Sequence, residues 1–237
     1  MALFDAVRGF SVVSMVLFHL CYDLRYLFGH DLSFFQPPFQ DIWRASISWT
    51  FLLVAGFMCS FSRNGLYRAL RYLAAALAIY LVTLVAAVDT PISFGIIYCM
   101  GASTLIEHLL CRAGLAPKGW NCALLLFVAF LALYGLPRGY LGIAGLRLPL
   151  PSSLYQLRYL SWLGIPAPTF ASGDYYPILP FTLLFLCGSA MGRTLKQTGY
   201  PAWCHKVSCK PLEFIGRHAL PIYLLHQPII LGLASLL

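Results

Sequence analysis

The sequence predicts an all-α membrane bundle of about seven transmembrane helices, with the N-terminus on the cytoplasmic side. Three observations predict it. The 237 residues are 60% hydrophobic and only 10% charged, with a mean hydropathy of +0.77, whereas soluble domains carry about 25% charged residues. Seven apolar stretches approach the ~20 residues that a helix needs to cross a bilayer. Lysines and arginines gather between alternate stretches, as cytoplasmic loops do. Residues 1–237 therefore read as a single transmembrane domain.

The stretches fall at about 5–27, 43–62, 72–89, 92–111, 121–137, 177–193 and 217–236. Polar punctuation separates them: "GHDLSFFQPPFQD", "SRNGLYRALR", "DTP", "RAGLAPKG", a long run from Arg138 to Tyr176, and "RTLKQTGYPAWCHKVSCKP". With the N-terminus inside, eleven cations lie on the inner side: Arg8, Arg63, Arg68, Arg71, Arg112, Lys118, Arg193, Lys196, Lys206, Lys210 and Arg217. Five lie outside: Arg25, Arg44, Arg138, Arg147 and Arg158. The net charge of +8 thus reports cytoplasmic loops against anionic lipid rather than a nucleic-acid partner. The expected location is the bacterial inner (plasma) membrane. No cleavable signal peptide is expected, because the first segment is too long and lacks a small-residue cleavage site.

The outer run between the fifth and sixth stretches is too long for a simple connector. It reads either as a cap over helix ends or as a lid that binds an acceptor. No internal repeat supports an inverted-repeat transporter. Eight cysteines lie in apolar runs or on the cytoplasmic side, so no disulfide framework is expected. Cys204, His205 and Cys209 match no strong zinc spacing, and no metal is expected.

Ionisable groups inside apolar stretches are costly, and usually face the bundle interior or a water-filled cavity. "RGFSVVSMVLFHLCYDL" places His19 about 16 Å along the helix from Arg8, near the bilayer middle. Asp23 follows one turn on, on the same face, where a carboxylate can orient an imidazole and raise its basicity. In "GRHALPIYLLHQPII", His226 stands about 14 Å from Arg217. Two histidines therefore share one depth on different helices. Either they pack the bundle through hydrogen bonds, or they form a reaction centre. Gln227 and Pro228 follow His226, so "HQP" reads as a helix break or as part of that centre.

"SGDYYPILPF" enters the sixth stretch from outside. Asp174 suits an N-cap there, with Pro177 in the first turn; with Tyr175 it can also bind an acceptor hydroxyl or amine. On the inner side Arg68 and Arg71 stand three apart on one face. Topology alone explains them, yet paired guanidinium groups also suit phosphates. No P-loop or strand-borne GxGxxG is present, so a nucleotide would bind in another way.

"DAVRGFSVVSMVLFHLCYDL", "FLLVAGFMCSFSR", "DYYPILPFTLLFLCGSAMGR" and "FIGRHALPIYLLHQPII" resemble, in order, blocks of the bacterial relatives of heparan-α-glucosaminide N-acetyltransferase. The similarity covers nearly the whole chain. That family stands with the transmembrane acyltransferases, beside the acyltransferase-3 group that modifies envelope sugars. The resemblance implies cytoplasmic acetyl-CoA (acyl-CoA) as co-substrate and a sugar or amino-sugar acceptor outside. In the acyltransferase-3 group an arginine–glycine helix ends in a histidine, and an R-x-x-R motif lies near the cytoplasmic face. Arg8, Gly9, His19, Arg68 and Arg71 match these positions in type and order. In the animal enzyme the active histidine lies beyond the first helix, which by unbroken spacing falls at His30. His19 is favoured, since the bacterial relatives carry a histidine there, and His30 is its rival. The luminal domain of the animal enzyme has no counterpart here, so a heparan-like acceptor is not implied.

Acyl transfer from a thioester needs a base for the acceptor or a nucleophile to carry the acyl group, and histidine can be either. On this reading His19 and Asp23, or His30, are catalytic. Arg8, Arg68 and Arg71 hold the donor, while Asp174, Tyr175, His226 and Gln227 serve the acceptor. Partners are a small-molecule or glycan acceptor and membrane lipid, with a homodimer the expected assembly. Two other classes remain: a transporter or flippase whose midplane histidines relay protons, and a scaffold that binds partners through the outer loop.

Overall fold

The computed structural model describes residues 2–234 other than 63, 88, 144, 202, 203 and 205–207. Arg63, His205 and Lys206, used in the sequence reading, lie outside the described residues. Among the described residues the regular structure is helical apart from one two-residue ribbon, in which Tyr140–Leu141 pairs antiparallel with Leu148–Pro149. Eight α-helices follow in order: α1 Ala2–Tyr22, α2 Phe39–Cys59, α3 Gly65–Ala86, α4 Ile96–Arg112, α5 Trp120–Leu133, α6 Ile178–Thr198, α7 Lys210–Arg217 and α8 Ala219–Ala234.

Five of them are long and apolar enough to cross a membrane: α1 with its extension to Leu27, α2, α3, α5 with its extension to Arg138, and α6. The protein is an integral membrane protein. α4 has 17 residues and α8 has 16, or about 24–26 Å at 1.5 Å per residue, less than the ~30 Å hydrocarbon layer.

The local chemistry explains the ends. α1 runs on into a π-helical turn, Asp23–Leu27, and stops where Gly29 takes a φ of +74° and the His30 N–H closes on the Leu24 carbonyl at 2.8 Å. Asn64 caps α3 by accepting from the Tyr67 N–H at 3.0 Å. The expected last span from 217 is two helices. Proline clashes with the carbonyl four residues earlier, so Pro221 cannot extend a helix through Arg217. The chain breaks at His218, between α7 and α8. By contrast, α8 continues through Pro228, so "HQP" does not end it.

The chain forms two compact units, Met1–Phe51 with Tyr200–Leu237, and Leu52–Gly199. In the first, α1 and α7 meet through glycines. A Cβ on Gly9 would strike the Leu212 carbonyl, and one on Gly216 would strike the Asp5 carbonyl. Arg8 reinforces the contact, donating from Nε to the Gly216 carbonyl at 2.5 Å and pairing with Asp5 at 2.7 Å. Further along, Phe18 packs edge-on against Phe35 and Trp43, with ring centroids 5.1 and 5.5 Å away. The Trp43 indole donates to Ser14 Oγ at 2.7 Å.

In the second unit α6 is central, with Leu184, Phe185 and Ala190 sealed. Gly188 and Gly192 of "GSAMG" lie against the Leu53 and Phe57 carbonyls of α2, and Gly56 answers against Phe185. This is the small-residue spacing that lets helix backbones approach closely in membranes. α3 turns Leu70, Leu77, Leu81 and Val85 outward, as a lipid-facing stripe does.

Gly216→Ala is expected to cost about 1–3 kcal/mol, the usual range for overpacking, and to lower the melting temperature in detergent. Gly232→Ala, where nothing lies within 4 Å of the added carbon, should cause no loss in the same assay.

Candidate active site

α1 carries His19 and Asp23 one turn apart, and α8 carries His226 and Gln227 in succession. The α1–α7 glycine contact and the break at His218 set where α8 starts, and the two pairs meet. The His19 and His226 ring centroids stand 4.9 Å apart at 61°. His226 is 8% exposed, and its Nδ1 lies 2.6 Å from the Tyr223 carbonyl. A carbonyl only accepts, so this bond assigns the proton of the neutral ring to Nδ1 and leaves Nε2 as an acceptor. Nε2 is buried without a hydrogen-bond partner among the described residues.

Asp23 is fully buried. The Gln227 amide nitrogen donates to both its carboxylate oxygens, at 3.0 and 2.9 Å. The carboxylate that sequence spacing assigns to His19 is thus gripped by Gln227. Bonds of this kind offset part of the cost of burying a charge. The Gln227 Oε1 is also buried and unpartnered among the described residues. Two unpartnered acceptor atoms thus come from consecutive residues, one of them on the ring that meets His19, a setting that suits an N–H or O–H donor from outside the chain.

His30 lies in the turn after the π-helical segment and is exposed. Arg8 is engaged by Asp5 and the Gly216 carbonyl. The remaining sequence-derived residues belong to the second unit. Arg68 is half-buried; it donates to the Ala55 carbonyl at 3.2 Å and lies 5.7 Å from the Tyr72 ring centroid. Arg71 is exposed. Asp174 caps a different helix from the one expected. Its Oδ2 accepts from the Ile96 N–H at 3.0 Å, at the start of α4, and α6 begins behind Pro177 with no side-chain cap. The reason lies in the backbone: Gly173 and Tyr176 bond to the Pro91 and Phe94 carbonyls, which carries the aspartate over the α4 N-terminus, where a negative charge is favoured. The Tyr175 hydroxyl donates to the Ser161 carbonyl at 2.6 Å. Burial pushes the Tyr175 and Tyr155 phenols above their ordinary value, so both act at neutral pH as hydrogen-bond donors.

Glu107 escaped the sequence reading, and Arg193 and Lys196 entered it only as inner-side cations. Glu107 is 4% exposed and pairs with Arg193. The signal was present, since Glu107 is a carboxylate within an apolar stretch, as Asp23 is. Among the described residues, no three of His, Cys, Asp or Glu gather to hold a metal ion.

The family model described as "Heparan-alpha-glucosaminide N-acetyltransferase, catalytic" matches residues 1–228. The chain belongs to this family. The heparan-α-glucosaminide N-acetyltransferase family uses acetyl-CoA, and membership implies N-acetyltransferase chemistry in a protein with several membrane-spanning helices. Neither the curated proteins nor the solved structures gave a match.

Gln227→Leu removes both amide bonds from a buried carboxylate. It should cost about 1.5–3 kcal/mol, the range for hydrogen bonds to charged groups. Asp174→Ala should cost about 0.5–2 kcal/mol, as lost helix caps do. Thermal unfolding in a single detergent checks both.

Proposed function

We propose that the protein is a membrane acetyltransferase in which His19 is the catalytic base. It moves an acetyl group from cytoplasmic acetyl-CoA to a sugar or amino-sugar acceptor on the other side of a bacterial inner membrane. The observation that carries this reading is the meeting of His19 and His226, ring to ring, beside the buried Asp23–Gln227 pair.

The acceptor amine or hydroxyl gives a proton to the His19 imidazole as its nitrogen or oxygen attacks the thioester carbonyl. A bond from that atom to carbon forms, the carbon–sulfur bond breaks, and CoA leaves as a thiolate that takes up a proton. Imidazole suits the step because its unprotonated nitrogen can take up a proton and give it back. The free acceptor atoms of His226 and Gln227 hold the donor hydrogens of the acceptor. Asp23, fixed by Gln227, stands one turn from His19 on the same helical run.

The cation distribution, eleven against five, supports seven crossings with the N-terminus inside, α4 and α8 being the two short ones. Arg68 then lies at the donor side. Asp174, which caps the N-terminal end of α4, and its neighbour Tyr175 then belong to the acceptor side.

Release of free CoA by the purified protein, with glucosamine as acceptor, tests the reading. His19→Ala should lower turnover by about 10²–10⁴-fold, the range for loss of a general base. His30→Ala should keep it, and Arg68→Ala should raise the KM for acetyl-CoA. Loss of turnover in His30→Ala alone would move the catalyst to the exposed turn. Substrate-coupled proton movement without thioester loss would favour a transporter.

A further inference from the structure

The last turn of a helix leaves carbonyls without intrahelical partners, and cations gather there. Around the end of α2 the gathering exceeds that need. Arg68 from α3 donates to the Ala55 carbonyl. Lys196 from α6 donates to the Ser60 carbonyl at 3.1 Å and lies 5.4 Å from the Phe61 ring centroid. Arg193, one turn back on α6, pairs with Glu107 of α4. Glu107 also interacts electrostatically with Arg68, and Cys59 at the end of α2 interacts with both arginines. Two arginines thus share one carboxylate, with Lys196 one turn on from Arg193 along α6.

The geometry of that carboxylate is telling. Ser189 Oγ at 3.0 Å, Cys111 Sγ at 3.2 Å and the Arg193 guanidinium all converge on Oε1. Structural arginine–carboxylate pairs are commonly bidentate, one nitrogen to each oxygen. Here Arg193 Nε is buried and has no hydrogen-bond partner among the described residues. Arg193 Nη2 alone serves both Glu107 Oε1 and Cys111 Sγ, the latter at 2.8 Å, so one nitrogen holds the pair. A guanidinium so held in a cluster with surplus positive charge can turn to a multiply charged anion with several acceptor oxygens.

We propose that Arg193 and Lys196, together with Arg68, form the cradle for the phosphates of the acyl-CoA donor, and that Glu107 competes for Arg193 until the donor arrives. The inference rests on the acetyltransferase reading and adds residues to it. Phosphate oxygens draw the Arg193 guanidinium from Glu107 and satisfy its unpartnered Nε. The Lys196 ammonium, on the exposed side of α6, reaches the outermost phosphate as a point charge. The cradle recognises the phosphorylated nucleotide end of the donor and leaves the pantetheine arm to other parts of the protein.

Binding of coenzyme A and of pantetheine to the purified protein, measured by calorimetry at two salt concentrations, separates this from a plain structural ion pair. Arg193→Gln and Lys196→Gln should each weaken coenzyme A about tenfold, the size of one lost charge-assisted hydrogen bond, and flatten its salt dependence. Neither should change pantetheine binding. Glu107→Gln should tighten coenzyme A several-fold, because it removes the competitor; a structural pair predicts weaker binding or none. Lys196 is exposed, so its variant tests the cradle even if the Arg193 and Glu107 variants unfold. Unchanged coenzyme A affinity in Lys196→Gln and Arg193→Gln, with turnover still dependent on His19, would overturn the cradle and leave the acetyltransferase reading standing. Failure of wild type both to bind coenzyme A and to consume acetyl-CoA would overturn the two together.

Discussion

Gly9 and Gly216 set the first unit. α7 has eight residues, too short to hold itself in water or lipid without tertiary contacts. It lies on α1 because neither helix has a side chain at the crossing, and because Arg8 reaches across to the carbonyl of Gly216. Glycine in a helix costs up to about 1 kcal/mol against alanine, and that cost is tolerated for close approach. Everything downstream depends on the contact. α7 ends where Pro221 forbids continuation, α8 starts from that point, and only then do His226 and Gln227 stand beside His19 and Asp23.

The second unit solves a different problem with the same device. α6 packs through Gly188 and Gly192 onto α2, and the turn that follows carries Arg193 and Lys196. The cations therefore stand on the most tightly held helix of the unit. Their partners come from the end of α2 and from α4, so the charged groups sit on packed helices rather than on loops. Side chains so supported keep their geometry without a ligand to order them.

Much of this was legible in the sequence, for reasons that differ by element. Apolar stretches bounded by polar runs located most ends of the long helices to within about five residues, because bilayer thickness fixes length, but α3 starts seven residues before the expected 72, at Gly65 behind its Asn64 cap. Counting rise per residue put His19 and His226 at one depth, and their rings meet. What depth could not give was rotation. Asp23 shares a face of α1 with His19, but its carboxylate is held by Gln227, a choice set by how α8 turns about its own axis. Asp174 sits just before α6 in sequence yet caps α4, since the backbone around it runs beside residues 91–94. α7 was hidden because eight residues in a polar stretch look like a loop, and the break at His218 becomes readable only once Pro221 is weighed against the carbonyl it would strike. Glu107 was passed over inside an otherwise ordinary apolar stretch.

The partners at the centre of the first unit lie 204 positions apart, Asp23 near one end of the chain and Gln227 near the other. Proteins are made from the N-terminus, and domains assemble as they emerge. Leu52–Gly199 is contiguous, so that unit has all its residues while the ribosome is still at work. α1 carries Asp23 and His19 without their α8 partners until the end of the chain is released. The His19–His226 and Asp23–Gln227 contacts are thus the last to be assembled, and a nascent chain stalled before residue 226 has neither.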